Sequence, residues 1–312
     1  MTTRTQADRP GESASRTTVA QSHDRMIGAG MTRRRLTLPS GAGVHLVEAG
    51  TGPPVLHLHG STTCCLSHLP LLERLDRVRS VAPDRPGLGL SDPVPAARSE
   101  FRAAAVRFVD QVLDALAVRS AALVGCSMGG SWATWYALAR PDRVDRLVLL
   151  GAVPGLPGTS PPWLLRAMTT PVVGDLLTRH LPPRRQDVLR LMTVMGEGST
   201  LPRHPDLLDS LVAAGRDRAV ATANLTELRA VLGWGGFRRR TSISADELRR
   251  LRAATLVVWG DRDPVGSAAV AEQVAELIPD ARLELLPAGH VPWLGHPDRV
   301  AELVSDFVLT GS

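Results

Sequence analysis

The chain has 312 residues, of which 44% are apolar, enough for one large α/β domain with an insertion and a packed core. Its formal net charge of +5 comes without a single lysine: all 36 basic residues are arginine, scattered and often beside Asp or Glu, a solvated-surface pattern that does not indicate a nucleic-acid partner. The missing lysine excludes Schiff-base chemistry, a Ser–Lys dyad and a complete phosphate loop of the Gly-x-x-x-x-Gly-Lys type.

Met1 to about Ala29 is rich in Thr, Ser, Arg and Asp with little apolar periodicity, so residues 1–30 are expected to form a disordered tail. The tail lacks the apolar segment of a signal peptide, and nothing in the chain is apolar for long enough to span a membrane. Arg33–Leu38 and Val44–Glu48 alternate like strands around Pro39-Ser40-Gly41, predicting a hairpin. Val106, Val109, Val112, Leu113 and Leu116 fall at helical spacing within Phe101–Val118. The apolar run Ala121–Val124 then stops at Gly125-Cys126-Ser127-Met128-Gly129-Gly130, after which a helix-compatible stretch begins.

Val144–Leu150 reads as the next strand. From Pro154 to Arg250 prolines interrupt short helical pieces, including Trp163–Thr169, Val172–Leu181, Gln186–Met195 and Asp206–Ala214. Ala254–Trp259 is another strand and ends at Gly260-Asp261-Arg262-Asp263-Pro264. Arg282–Leu286 is followed by Pro287-Ala288-Gly289-His290, and Val300, Leu303, Val304 and Phe307 form the inner stripe of a final helix. The three cysteines are Cys64, Cys65 and Cys126; an odd count with an adjacent pair points to reduced thiols in a cytoplasmic setting. Neither C-x-x-C nor H-E-x-x-H occurs, so the sequence supports no metal site and calls for no cofactor.

Gly125-x-Ser127-x-Gly129 lies in strand–turn–helix context. A serine at such a turn is pushed clear of the sheet, the glycines tolerate the crowding, and the helix start aims its N–H groups at whatever the serine attacks. Serine, aspartate and histidine then follow in chain order, each just past the carboxyl end of a strand. Parallel strands gather such ends at one sheet edge. The serine hydroxyl needs an imidazole to take its proton, and the imidazole needs a carboxylate to fix its tautomer.

These motifs resemble those of the α/β-hydrolase family, in its serine-nucleophile branch with a helical cap. The upstream segments agree: Pro54-Val55-Leu56-His57-Leu58-His59-Gly60 is similar to the family's strand into the oxyanion loop, and Val81–Asp92 to its next strand and Gly-rich turn. Two departures stand out: Ser61-Thr62-Thr63 follows His-Gly where the family often has Pro or Gly, and Gly295 stands where it often has Glu. The resemblance implies a mostly parallel central sheet with helices on both faces. It also implies core segments 31–153 and 251–312, and a helical cap over 154–250.

The resemblance assigns Ser127 as nucleophile, His290 as base and Asp263 as the orienting acid, with Asp261 capping its turn. The N–H groups of Met128 and Ser61 are the expected oxyanion donors. His57 reads as a core histidine, His59 as a brace for the oxyanion loop, and Asp84 as a structural loop residue. Trp163, Met168, Met192 and Trp234 are candidates for an apolar substrate pocket. The expected reaction is hydrolysis of a carboxylic ester of a small, largely apolar substrate, with neither nucleic acid nor membrane as a partner. A perhydrolase (haloperoxidase-like) activity, a carbon–carbon bond hydrolase, and a low-turnover ligand sensor on the same fold remain open alternatives.

Overall fold

The computed structural model describes residues 14–310. Ten strands are formed: β1 (Met31–Thr37), β2 (Gly43–Ala49), β3 (Pro54–Leu58), β4 (Arg79–Pro83), β5 (Ala121–Cys126), β6 (Val144–Leu150), β7 (Leu232–Gly233), β8 (Gly236–Phe237), β9 (Thr255–Gly260) and β10 (Ala281–Leu286). Eight of them make one sheet in the order β1-β2-β4-β3-β5-β6-β9-β10, and β7 and β8 pair separately. The hairpin at the sheet edge is antiparallel, as is β2 against β4, and every pairing from β4 to β10 is parallel.

The alternation of side chains along the strands divides the core in two. Leu123, Val257 and Trp259 face one layer, while Ala122, Val124, Leu256 and Val258 face the other. Both faces of a parallel sheet are covered by crossover helices, so its central strands read as near-continuous apolar runs. The chain leaves β3 for β4 on one side and continues in β5 on the other. That reversal opens a crevice beyond the carboxyl ends of β3 and β5, where doubly wound sheets bind ligands.

Between β6 and β9 the chain forms the helices Trp163–Thr169, Pro171–His180, Arg185–Val194, Pro205–Arg216 and Arg218–Val231, then the β7–β8 hairpin and the short helix Ala245–Leu248. Arg218–Val231 is not among the helical pieces read from the sequence. Its start is set by Asp217, whose carboxylate accepts the N–H groups of Ala219 and Val220. Among the described residues no helix is long and apolar enough to cross a membrane.

The expectation of a disordered tail over residues 1–30 is corrected in its second half; residues 1–13 lie outside the described residues. Ala14–Met26 is a helix packed against Pro205–Arg216. Val19, Ser22 and His23 are its buried face. Arg25 pairs with Asp206 at 2.6 Å and Arg33 with Asp24 at 2.8 Å. The buried face carries polar letters, which is why hydrophobic periodicity does not reveal this helix.

Candidate active site

Ser127 follows β5 directly and caps the helix Met128–Ala139. Its backbone sits at φ 49°, ψ −119°, a conformation that a side chain rarely adopts and that functional sites retain as strain. The flanking glycines make it possible. A Cβ on Gly129 would stand 1.9 Å from the Leu58 carbonyl oxygen, so no larger residue fits. Met128 is the first residue of the helix, so its N–H has no carbonyl one turn earlier to bond.

Asp263 lies beyond β9 and His290 beyond β10. The two side chains meet: His290 Nδ1 is 2.9 Å from Asp263 Oδ2 and 3.1 Å from Oδ1. Asp263 is itself fixed by two backbone N–H groups, Ala152 at 2.8 Å and Val265 at 2.9 Å. Those bonds aim the carboxylate and hold His290 as the Nδ1–H tautomer, leaving Nε2 as the basic atom. Asp261 is not in this contact; it pairs with its neighbour Arg262 at 3.4 Å.

Burial pushes the His290 pKa down, but the charge and hydrogen bond of Asp263, with the charge of Glu197, outweigh it, and the net shift is upward. Glu197 was not anticipated. It is buried in the turn after Arg185–Val194. Its Oε1 accepts the Val291 N–H at 2.9 Å, and the Met195 carbonyl two residues earlier accepts the His290 N–H at 3.0 Å. A Cβ on Gly289 would lie 2.6 Å from that carbonyl, so the histidine loop and the insertion touch backbone to backbone. Burial raises the Glu197 pKa against the pull of its hydrogen bonds and of His290.

The loop Gly60–Thr63, expected from the sequence to be the oxyanion loop, is also held by the insertion. Arg85 and Glu227 form a buried ion pair. Arg85 donates to the Gly60 carbonyl at 2.8 Å, and the Ser61 hydroxyl donates to Glu227 at 2.6 Å. Asn224, one turn earlier on the same helix, accepts the Thr62 N–H at 3.0 Å. His59 braces the loop from below: Nδ1 is 2.9 Å from the Gly60 carbonyl, and Nε2 accepts the Arg85 N–H at 2.9 Å. The Arg85 guanidinium also lies over the Trp132 ring, 4.9 Å from its centroid. Among the described residues the Ser61 N–H has no acceptor. Glu227 and Asn224 lie on Arg218–Val231, a helix not among the pieces read from the sequence.

Ser127, Ser61 and His290 line one cavity of about 120 Å³ with Leu165, Met192, Leu207, Leu228 and Trp293 among its walls. Among the described residues no arginine lines it. Of the four candidate pocket residues only Met192 lies there; the other three are corrections. Trp163, at the start of its helix after two prolines, is 74% exposed. Met168 belongs to the same helix but Leu165 supplies the wall. Trp234 sits at the tip of the β7–β8 hairpin, 85% exposed, beside a separate surface groove with Arg98, Arg166, Arg229 and Arg238. An inventory of apolar letters carries no side-chain direction, and a hairpin tip points outward. Cys126 is buried and its thiol is pushed up to about 12 by burial, so it holds no thiolate to compete with Ser127.

Residues 53–297 match the family described as the alpha/beta hydrolase fold. A 2-hydroxy-6-oxononadienedioate/2-hydroxy-6-oxononatrienedioate hydrolase from Cupriavidus pinatubonensis is 30% identical over 276 residues, 85% of this chain and 90% of that protein. Among solved structures, a carboxylesterase from Bacillus subtilis superposes with a TM-score of 0.74 at 22% identity, covering 96% of this chain and 99% of that one. A meta-cleavage product hydrolase from Pseudomonas fluorescens gives 0.73 at 22% identity over 92% of this chain and 100% of that one.

Proposed function

Because the chain belongs to the α/β-hydrolase family and is a hydrolase, we propose that it cleaves carboxylic esters of small, largely apolar acids through an acyl-enzyme on Ser127. The observation that carries this reading is His290, held by the buried Asp263, lining with Ser127 a largely apolar cavity that has no arginine among the described residues. In this reading residues 31–153 and 251–312 are the core and 154–250 the cap over the cavity.

The chemistry follows from the positions. Ser127 Oγ attacks the ester carbonyl carbon while His290 Nε2 takes its proton. Asp263 steadies the imidazolium through Nδ1–H. The N–H groups of Met128 and Ser61 receive the oxyanion, since the Thr62 N–H is engaged by Asn224. His290 then returns the proton to the departing alkoxide. Water repeats the sequence on the acyl-enzyme, and the acid leaves. The three cysteines are free thiols, which supports a cytoplasmic setting.

The relative from Cupriavidus favours a second reading, carbon–carbon bond hydrolysis by the same triad. Its named substrates are dicarboxylates, and carboxylates are ordinarily held by arginine. Among the described residues the cavity here is lined by none, which favours the ester. The test is kcat/KM for a series of p-nitrophenyl esters beside that for a 2-hydroxy-6-oxodienoate. Faster ester hydrolysis is expected; faster carbon–carbon cleavage would overturn the assignment.

A further inference from the structure

Away from the cavity, four reactive side chains from four distant segments converge. His23 comes from the helix Ala14–Met26, His45 from β2, Cys65 from the turn after the oxyanion loop, and Asp84 from the residue after β4. All four are buried. One donor atom from each lies within 4.8 Å of the other three. His45 Nδ1 is 2.9 Å from Asp84 Oδ2 and 4.0 Å from Cys65 Sγ. Asp84 further accepts the N–H groups of Cys65 at 2.7 Å and Leu90 at 2.9 Å.

The set is incompletely satisfied. Among the described residues neither ring nitrogen of His23 has a hydrogen-bond partner. Buried polar atoms without partners cost free energy, and each one in a native fold calls for an explanation. The His23 ring meets His45 edge-on, with centroids 4.6 Å apart.

We propose that His23, His45, Cys65 and Asp84 form a structural zinc-type site that clasps the N-terminal helix to the core. Two imidazoles, a thiol and a carboxylate are the nitrogen, sulfur and oxygen donors that zinc takes tetrahedrally; calcium and magnesium take oxygen. Charge balances as well. A divalent ion with one thiolate, one carboxylate and two neutral imidazoles is neutral, as a buried site requires. Binding converts the Cys65 thiol to a thiolate and releases that proton to solvent, while His45 presents Nδ1 in its Nε2–H tautomer. Zinc bonds of about 2.0–2.3 Å require the donors to close in by roughly an ångström from their widest separation. The His23 ring, held by no hydrogen bond, is free to supply that movement.

The clasp would tie a terminal helix to the turn after the oxyanion loop and to the residue before Arg85. It touches none of the triad. The test uses the untagged full-length protein, stripped by a chelator and titrated with Co²⁺ and then Zn²⁺. One equivalent of cobalt should give tetrahedral visible bands and a thiolate charge-transfer band in the near ultraviolet, and one equivalent of zinc should displace it. Cys65→Ser should remove the charge-transfer band, Cys64→Ser should keep it, and His23→Ala should weaken cobalt binding by about tenfold or more. Folded wild-type protein that shows no saturable cobalt spectrum, or a thiolate band that survives Cys65→Ser, would overturn the site. The wild-type titration decides the matter even if a variant fails to fold.

Discussion

The proposed triad stands on the strand ends of one parallel sheet, where hydrogen-bonded ladders fix the positions of Ser127, Asp263 and His290. The grip on their surroundings comes from the insertion, through Glu227, Asn224, Glu197 and the Met195 carbonyl. The first arrangement is continuous with the core. The second is a small set of buried polar contacts between two parts of the chain. Core changes should therefore abolish the chemistry, whereas insertion changes should grade it, shifting stability, oxyanion stabilisation or pH response.

The largest effect belongs to the nucleophile. Ser127→Ala should lower ester turnover by about 10⁶, the scale seen when a triad serine is removed, with the circular dichroism spectrum unchanged. Next comes the acid. Asp263→Asn should keep a partner for His290 but favour the wrong tautomer, costing about 10⁴ in kcat; Asp261→Asn should change kcat far less. A reversed ranking of the two would reassign the carboxylate.

On the insertion side, Glu227→Ala leaves Arg85 buried without its partner. Denaturant unfolding should register a loss of about 3–5 kcal/mol, and kcat should fall by up to about 10² as the Ser61 N–H loses its placement. A variant as stable and as active as the parent would show that the ion pair does not hold the loop.

Glu197→Gln offers a finer probe, since the amide can still accept the Val291 N–H but carries no charge. His290 must be neutral to act as base, so kcat/KM should rise with pH through its ionisation. Asp263 and Glu197 raise that ionisation despite burial, so the parent limb should lie above the ordinary imidazole value of about 6.5. Removing the Glu197 charge should move it to lower pH. An unmoved limb would leave Asp263 as its only carboxylate determinant. The smallest effects are expected at Trp163→Ala and Trp234→Ala, whose exposed rings should leave kcat/KM within about twofold. Met192→Ala should instead raise KM, most for the longest acyl chains.

Most of the core half could be read in the sequence because its signals are local. The continuous apolar runs of β5 and β9, the glycines around Ser127 and the chain order Ser…Asp…His need only a short window. Val144–Leu150 and Trp163–Thr169 match their predicted bounds. In the insertion the helical pieces Trp163–Thr169, Gln186–Met195 and Asp206–Ala214 were legible on the same local signals, but its buried polar contacts were not. Glu197 and Glu227 are ordinary acidic letters until the fold buries them beside His290 and Arg85. His23, in a segment read as disordered, meets His45, Cys65 and Asp84 only through the tertiary fold. The pocket candidates failed at Trp163 and Trp234 because composition says nothing of side-chain direction.

The central claim is a covalent acyl-enzyme on Ser127, and a fluorophosphonate that reacts with activated serines tests it most directly. Protein incubated with the probe should gain one adduct, located on Ser127 by peptide mass spectrometry, with ester hydrolysis lost in proportion to labelling. An adduct on another residue accompanying the loss of activity, or full hydrolysis by protein labelled at Ser127, would contradict it.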